Sequence, residues 1–154
     1  MLTRSNMQSF VSTFDLLKDV PRSKWVSNPV DTELFKKRDD LPKNKAVSLQ
    51  PYYEKSSHAI LTAKMKCWDL TIMVRKNPKH ILAHSLMPKF LGSFGIFIDQ
   101  HSIHSLSKTA LEALAVGLKV VRWDGKIIEG LPREHEPIDV TKRWLEIYYR
   151  FLNE

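Results

Sequence analysis

Residues 94–123 read FGIFIDQHSIHSLSKTALEALAVGLKVVRW, and this stretch narrows the fold more than any other. Residues 94–99 are a short apolar run that ends in an acid, Asp99. Residues 100–105 are polar and rich in His and Ser. Residues 106–116 have helical composition, and Gly117 stops them. Residues 118–123 are again β-rich. The order is strand, loop, helix, strand. The polar loop falls where the first strand meets the helix, the end at which open α/β sheets bind ligands.

The rest of the chain agrees with that unit. Residues 45–50 (KAVSLQ) read as a buried strand that Pro51 ends, and residues 54–66 as a helix with Ile60, Leu61 and Met65 on its apolar side. Residues 69–74 (DLTIMV) form a second strand, and residues 80–84 a third, short one. Residues 87–93 open with Pro88 as a short helix. Asp124-Gly125 turns the chain, and Asp139 caps a final helix over 140–152. Its stripe is Trp144, Ile147, Tyr148, Phe151 and Leu152. Upstream, Met7, Phe10, Val11, Phe14 and Leu17 have the spacing of a short lead-in helix over 7–17. Residues 24–30 read as a short strand, and Asp31 caps a single helical turn through Phe35. Residues 36–45 are charged, contain Pro42 and read as a solvated loop or linker. Strands alternating with helices predict an α/β fold: one Rossmann-like domain with a mostly parallel sheet, helices on both faces and a C-terminal aromatic helix. The expected division is a lead-in over 1–23 and the domain over 24–154.

With 154 residues, the chain fits about one domain and is long enough to bury a substantial core. Its net charge is +7, which favours anionic partners such as nucleotides, phosphates, nucleic acid or acidic lipid headgroups without choosing among them. The single cysteine, Cys67, excludes an internal disulfide and fits a reducing compartment. No apolar run approaches the ~20 residues of a membrane span, and the first ten residues lack a signal-peptide core. A soluble, cytoplasmic protein is expected.

Several residues invite a chemical role, and each has a plain structural alternative. Glu112 stands four residues after Lys108, so a surface ion pair worth a few tenths of a kcal/mol (~0.2–0.5) explains it. Ser105, Ser107 and Lys108 stand at the start of the same helix, where free backbone N–H groups and the dipole favour an anion. A serine N-cap needs no ligand. Lys55 stands at the start of the preceding helix as a second phosphate contact or a solvated lysine. His101 with His104, and His80 with His84, have spacings that suggest zinc, but no cysteine pair or H-E-x-x-H accompanies them. No metal site is expected. A loop His can instead bind ligand or act as acid or base. Neither G-x-G-x-x-G nor a P-loop occurs, which argues against standard NAD and ATPase sites.

The segment LEALAVGLKVV, with NPVDTELF at residues 28–35, resembles the C-terminal domain of retaining GT-B glycosyltransferases of the large family 4 type. In that family a helix–Gly–strand of this form follows a loop glutamate, and an NGVD-x-x-x-F segment precedes the first strand. The resemblance covers roughly residues 24–123. It implies that Glu112 matches the second glutamate of the family's glutamate–seven residues–glutamate motif, which hydrogen-bonds the nucleotide ribose. His104 stands at the first glutamate, which touches the donor sugar. Leu106 and Ser107 stand at the Phe-Gly pair whose amides meet the diphosphate, with Lys108 beside them. Lys55 matches a diphosphate-binding lysine, and the family's arginine position falls at Gln50-Pro51.

The implied function is the nucleotide-diphospho-sugar-binding half of a hexosyl-transferring glycosyltransferase. The donor would be a nucleotide sugar, with no cofactor beyond it. Only about 27 residues precede NPVD, so the chain reads as the nucleotide-sugar half alone: a fragment, a split enzyme whose acceptor domain is a separate chain, or a degenerate orphan that binds without turnover, with any membrane approached through the acceptor. The rival reading is a regulatory or interaction module that kept the fold without the chemistry. Nucleic-acid binding is disfavoured, because the lysines are scattered and no binding motif appears.

Overall fold

Parallel strands buried on both faces must be almost continuously apolar, and IFI at residues 96–98 meets that demand with all three side chains buried. The computed structural model describes residues 8–50, 58–74, 79 and 81–153. In chain order its elements are β1 (Phe10–Val11), β2 (Lys24–Trp25), β3 (Lys45–Gln50), α1 (His58–Met65), β4 (Asp69–Val74), α2 (Met87–Leu91), β5 (Ile96–Ile98), α3 (Lys108–Val116), β6 (Lys119–Val121), β7 (Ile127–Ile128) and α4 (Pro137–Asn153). Short 3-10 turns cover Phe14–Lys18, His84–Leu86 and Arg133–His135. Strands β3 to β7 form one five-stranded sheet in the order β4-β3-β5-β6-β7. The first four are parallel, and β7 returns antiparallel after the Asp124-Gly125 turn. The architecture is α/β and Rossmann-like, with helices flanking a mostly parallel sheet. The chain leaves β3 for β4 on one side and later returns to place β5 on the other. That reversal makes the gap between the carboxyl ends of β3 and β5 the topological switch point.

The described residues fall into two compact units. The sheet unit is drawn from Asp31–Ser102 and Leu106–Leu131. Its core joins Ala46, Ile96, Ile98 and Val121 from the strands to Ala63 of α1. Every residue of α3 from Ala110 to Val116 is buried. The alanines let the helix approach the sheet closely. Ser107 caps α3 by accepting the Ala110 N–H at 3.2 Å. Gly117 ends it at φ 106°, where the Leu118 N–H reaches the Ala113 carbonyl and the Gly117 N–H the Leu114 carbonyl. This is a Schellman ending, and the left-handed residue it needs is glycine.

The other unit is drawn from Met1–Val30, Ile103–Ser105 and Pro132–Glu154. Here β1 and β2 pair in parallel, Phe10 with Lys24 and Val11 with Trp25. The rings of Phe10 and Trp144 lie 4.9 Å apart, and the Arg143 guanidinium sits 4.9 Å from the Trp25 ring. Helix α4 keeps only Val140 buried, while Tyr148 is 65% and Leu152 76% exposed. The His135 ring donates from Nδ1 to the Asn28 carbonyl at 2.9 Å, which fixes the start of the NPVD segment.

Four expectations change, the first being that the strand expected over 24–30 is only Lys24–Trp25. Residues 10–18 form β1 and a 3-10 turn rather than a helix, because pairing with β2 outweighs the weak preference of so short a helix. Residues 81–83 carry no strand, and His84 opens a 3-10 turn instead. The charged segment 36–45 is exposed in its side chains apart from the half-buried Leu41 and Pro42, and its backbone is packed. The Arg38 N–H donates to the Val116 carbonyl at 2.8 Å, and the Gly95 N–H to the Lys45 carbonyl at 3.0 Å. A Cβ on Gly95 would run into the Pro42 carbonyl oxygen, and one on Gly117 would lie 2.9 Å from that of Arg38. No helix among the described residues is long and apolar enough to cross a membrane.

Gly117→Ala combines positive-φ strain with that backbone contact. Gly130, at φ 78° with nothing within 4 Å of a Cβ, has the strain alone. Denaturant unfolding should show Gly130→Ala costing about 1–2 kcal/mol and Gly117→Ala distinctly more. Equal losses would mean that the segment does not press on Gly117.

Candidate functional site

The carboxyl end of β5 is organised by Asp99, which is 4% exposed. Its Oδ2 accepts the Ser107 N–H at 3.1 Å, and its Oδ1 accepts the His101 backbone N–H at 3.3 Å. His101 Nδ1–H donates to the same Oδ1 at 2.9 Å. That bond fixes the tautomer and leaves Nε2 as the outer nitrogen. A carboxylate at the start of α3 is also favoured by the helix dipole. Beside it, Ser48 of β3 donates to the Ile98 carbonyl at 3.1 Å and accepts Gln100 Nε2–H at 3.2 Å. These bonds lace β3 to β5 at the switch point. Gln100 Oε1 is buried there without a hydrogen-bond partner among the described residues.

One turn into α3, the Glu112 side chain is only 5% exposed. Lys108 Nζ lies 3.8 Å from Glu112 Oε1, but Lys108 is itself 80% exposed, so this pair contributes little. The stronger partner is His84, whose Nε2–H donates to the same Oε1 at 2.9 Å. His84 in turn presents its ring to Phe35 edge-to-face, with centroids 5.4 Å apart. Phe35 is fully buried and closes the turn that Asp31 begins. Asp31 Oδ1 accepts the N–H groups of Glu33 at 3.1 Å and Leu34 at 2.9 Å. The NPVDTELF segment thereby places an aromatic wall behind the His84–Glu112 pair.

Glu112 and His84 open onto a pocket of about 370 Å³. Leu49 at the end of β3, Met73 at the end of β4, and Met87 and Phe90 of α2 give it apolar walls. Lys108, Thr109, His84 and Glu112 supply its polar side. An apolar cleft with a few convergent polar groups is the ordinary form of a small-ligand site.

The sequence-derived candidates separate in the structure. Glu112 and Lys108 share the pocket. Ser107 caps α3, and its amide is held by Asp99; Leu106 is half-buried beside it. Lys55 and His80 lie outside the described residues. His104 is exposed and belongs to the unit of β1 and β2. There Ser105 hydrogen-bonds the Asp15 carboxyl and holds it below the usual carboxylate range, with the nearby His104 a lesser cause. Cys67 is exposed. Among the described residues no three His, Cys, Asp or Glu side chains gather as a metal site. Sequence reasoning missed the roles of Asp99 and His84. The acid at the end of a strand marked the first, while the spacing of His80 and His84 pointed to zinc instead of Glu112.

No protein-family model matches the chain, and no curated protein matches it.

Two outcomes follow from these contacts. Asp99→Ala strands the Ser107 amide and frees the His101 ring, so unfolding stability should fall by about 1–3 kcal/mol, with hydrogen exchange accelerating first at the start of α3. An unchanged exchange pattern would remove Asp99 from that role. Asp15 has a depressed folded-state pKa, so its contribution is present above the unfolded pKa of about 3.9 and is lost as pH falls through the lower folded value. The stability gap between wild type and Ser105→Ala should therefore be full near neutrality and shrink below about pH 4. A gap that does not change with pH would show that Ser105 does not act through the Asp15 charge.

Proposed function

We propose that this chain carries the nucleotide-diphospho-sugar-binding half of a GT-B-type glycosyltransferase, which works together with an acceptor domain. The observation that carries the reading is Glu112. It is the residue that the sequence resemblance assigns to the ribose, and it is a buried carboxylate that lines a pocket near the sheet's carboxyl end. Ribose offers two adjacent hydroxyl donors, and a carboxylate is an acceptor-only partner for them. A 370 Å³ pocket falls within the range of small-ligand sites. Lys108 on its rim supplies positive charge for the diphosphate, and Lys55 is the second cation the reading assigns there. Charge developing on the leaving diphosphate is then met electrostatically.

The exposed aromatic and aliphatic side chains of α4 support a surface made to be covered. In this reading the protein works in the cytoplasm and meets a membrane only where its acceptor is lipid-borne. One observation favours the rival, a non-catalytic module of the same fold. The Ser107 amide, a prospective diphosphate contact, is already taken by Asp99.

Calorimetric titration with UDP and GDP decides the question of binding. One of the two should bind wild type below millimolar concentration. Glu112→Ala should weaken that binding about tenfold or more, the loss of one charge-assisted hydrogen bond. No binding of either nucleotide at millimolar concentration overturns the reading. Transfer or hydrolysis of a nucleotide sugar by the chain overturns the non-catalytic rival.

A further inference from the structure

A buried carboxylate can serve a ligand only if something else fixes which oxygen faces it. At Glu112 both protein partners converge on Oε1: the His84 Nε2–H at 2.9 Å and the Lys108 ammonium at 3.8 Å. Among the described residues the hydrogen bond to Glu112 is made at Oε1, and none is made at Oε2. The two partners are unequal. Lys108 is a long, exposed side chain beyond hydrogen-bond distance. His84 is within it, and its half-exposed ring also meets the fully buried Phe35 edge-to-face, a contact that does not involve Glu112.

From this geometry we infer that His84 is a positioning residue: it engages Glu112 Oε1 and thereby presents Oε2 to the pocket as the acceptor for a ribose hydroxyl. The inference rests on the nucleotide-binding reading and adds to it the residue that sets selectivity for ribose. His84 stands at the pocket wall, 28 positions before Glu112. Its role is therefore separable from the diphosphate contacts at the start of α3. Without His84 the carboxylate loses its close partner and can turn Oε2 away or take up solvent on both oxygens. Ligands with and without a ribose hydroxyl would then bind alike. Glutamine at position 84 can donate from its own side-chain N–H and should restore part of the constraint.

The test is a calorimetric comparison of the nucleoside diphosphate whose base binds, its 2′-deoxy and 3′-deoxy analogues, and inorganic diphosphate. It uses wild type, Glu112→Ala, His84→Ala and His84→Gln, each first shown to be folded by thermal unfolding. Wild type should prefer the ribonucleotide to at least one deoxy analogue by about tenfold. His84→Ala should bring that ratio close to one, as Glu112→Ala does, and leave inorganic diphosphate unaffected. His84→Gln should recover most of the ratio. If Glu112→Ala loses the preference but His84→Ala keeps it, the role of His84 fails and the nucleotide reading survives. Tighter ribonucleotide binding by His84→Ala would show a competitor for the carboxylate and would also overturn the inference. So would an equal loss for all ligands, inorganic diphosphate included, because His84 would then be a phosphate contact. Wild type that binds no nucleotide, or shows no preference for ribose, overturns both.

Discussion

The sheet unit depends on one buried carboxylate. Asp99 leaves water at the end of β5, and such a group is tolerated only when its oxygens are well bonded. Here they accept from the His101 backbone and ring and from the Ser107 amide. The three bonds join the end of a strand, the loop after it and the first residue of the helix cap. They set where α3 begins and so how it is phased against the sheet. The burial of Ala110 to Val116, and the place of Glu112 among them, follow from that phase. Two carboxylates thus have consecutive tasks. Asp99 fixes the helix, and the helix carries Glu112 to the pocket.

The central unit was readable because its signals are local and agree with one another. An apolar run, a serine cap, a buried helix and a left-handed glycine follow in order, and each has its own physical reason. The last helix was readable for the same cause. Strand β7 escaped because two isoleucines after a turn make too short a pattern. The helix expected at residues 7–17 failed because its apolar spacing suited an amphipathic turn, while the pairing that replaced it comes from residues 24–25. Glu112 shows the limit most clearly. Its spacing from Lys108 was visible and the ion pair is present, but burial and the His84 bond depend on residues far away in the chain. One-dimensional spacing shows neighbours along a helix and says nothing about what covers it.

The pocket and the Asp99 cluster divide the chemistry of the sheet's carboxyl end. One is apolar and open, with a single acid and two basic side chains at its polar side. The other is a closed network in which one buried acceptor, Gln100 Oε1, is left over. Internal bonds thus occupy much of the polarity at the cap of α3, and the polar groups facing the pocket are Lys108 and Thr109 of its first turn, Glu112 one turn further on, and His84.

The charged stretch 36–45 has a consequence for how this protein tolerates change. Most of its charged side chains are exposed, while its backbone lies against two positions with no side chain at all, Gly95 and Gly117. The information that fixes its path is stored elsewhere, as two missing methyl groups. Mutational sensitivity therefore belongs to the partner positions and not to the segment they accommodate, and a stretch with the composition of a linker behaves as a built part of the domain.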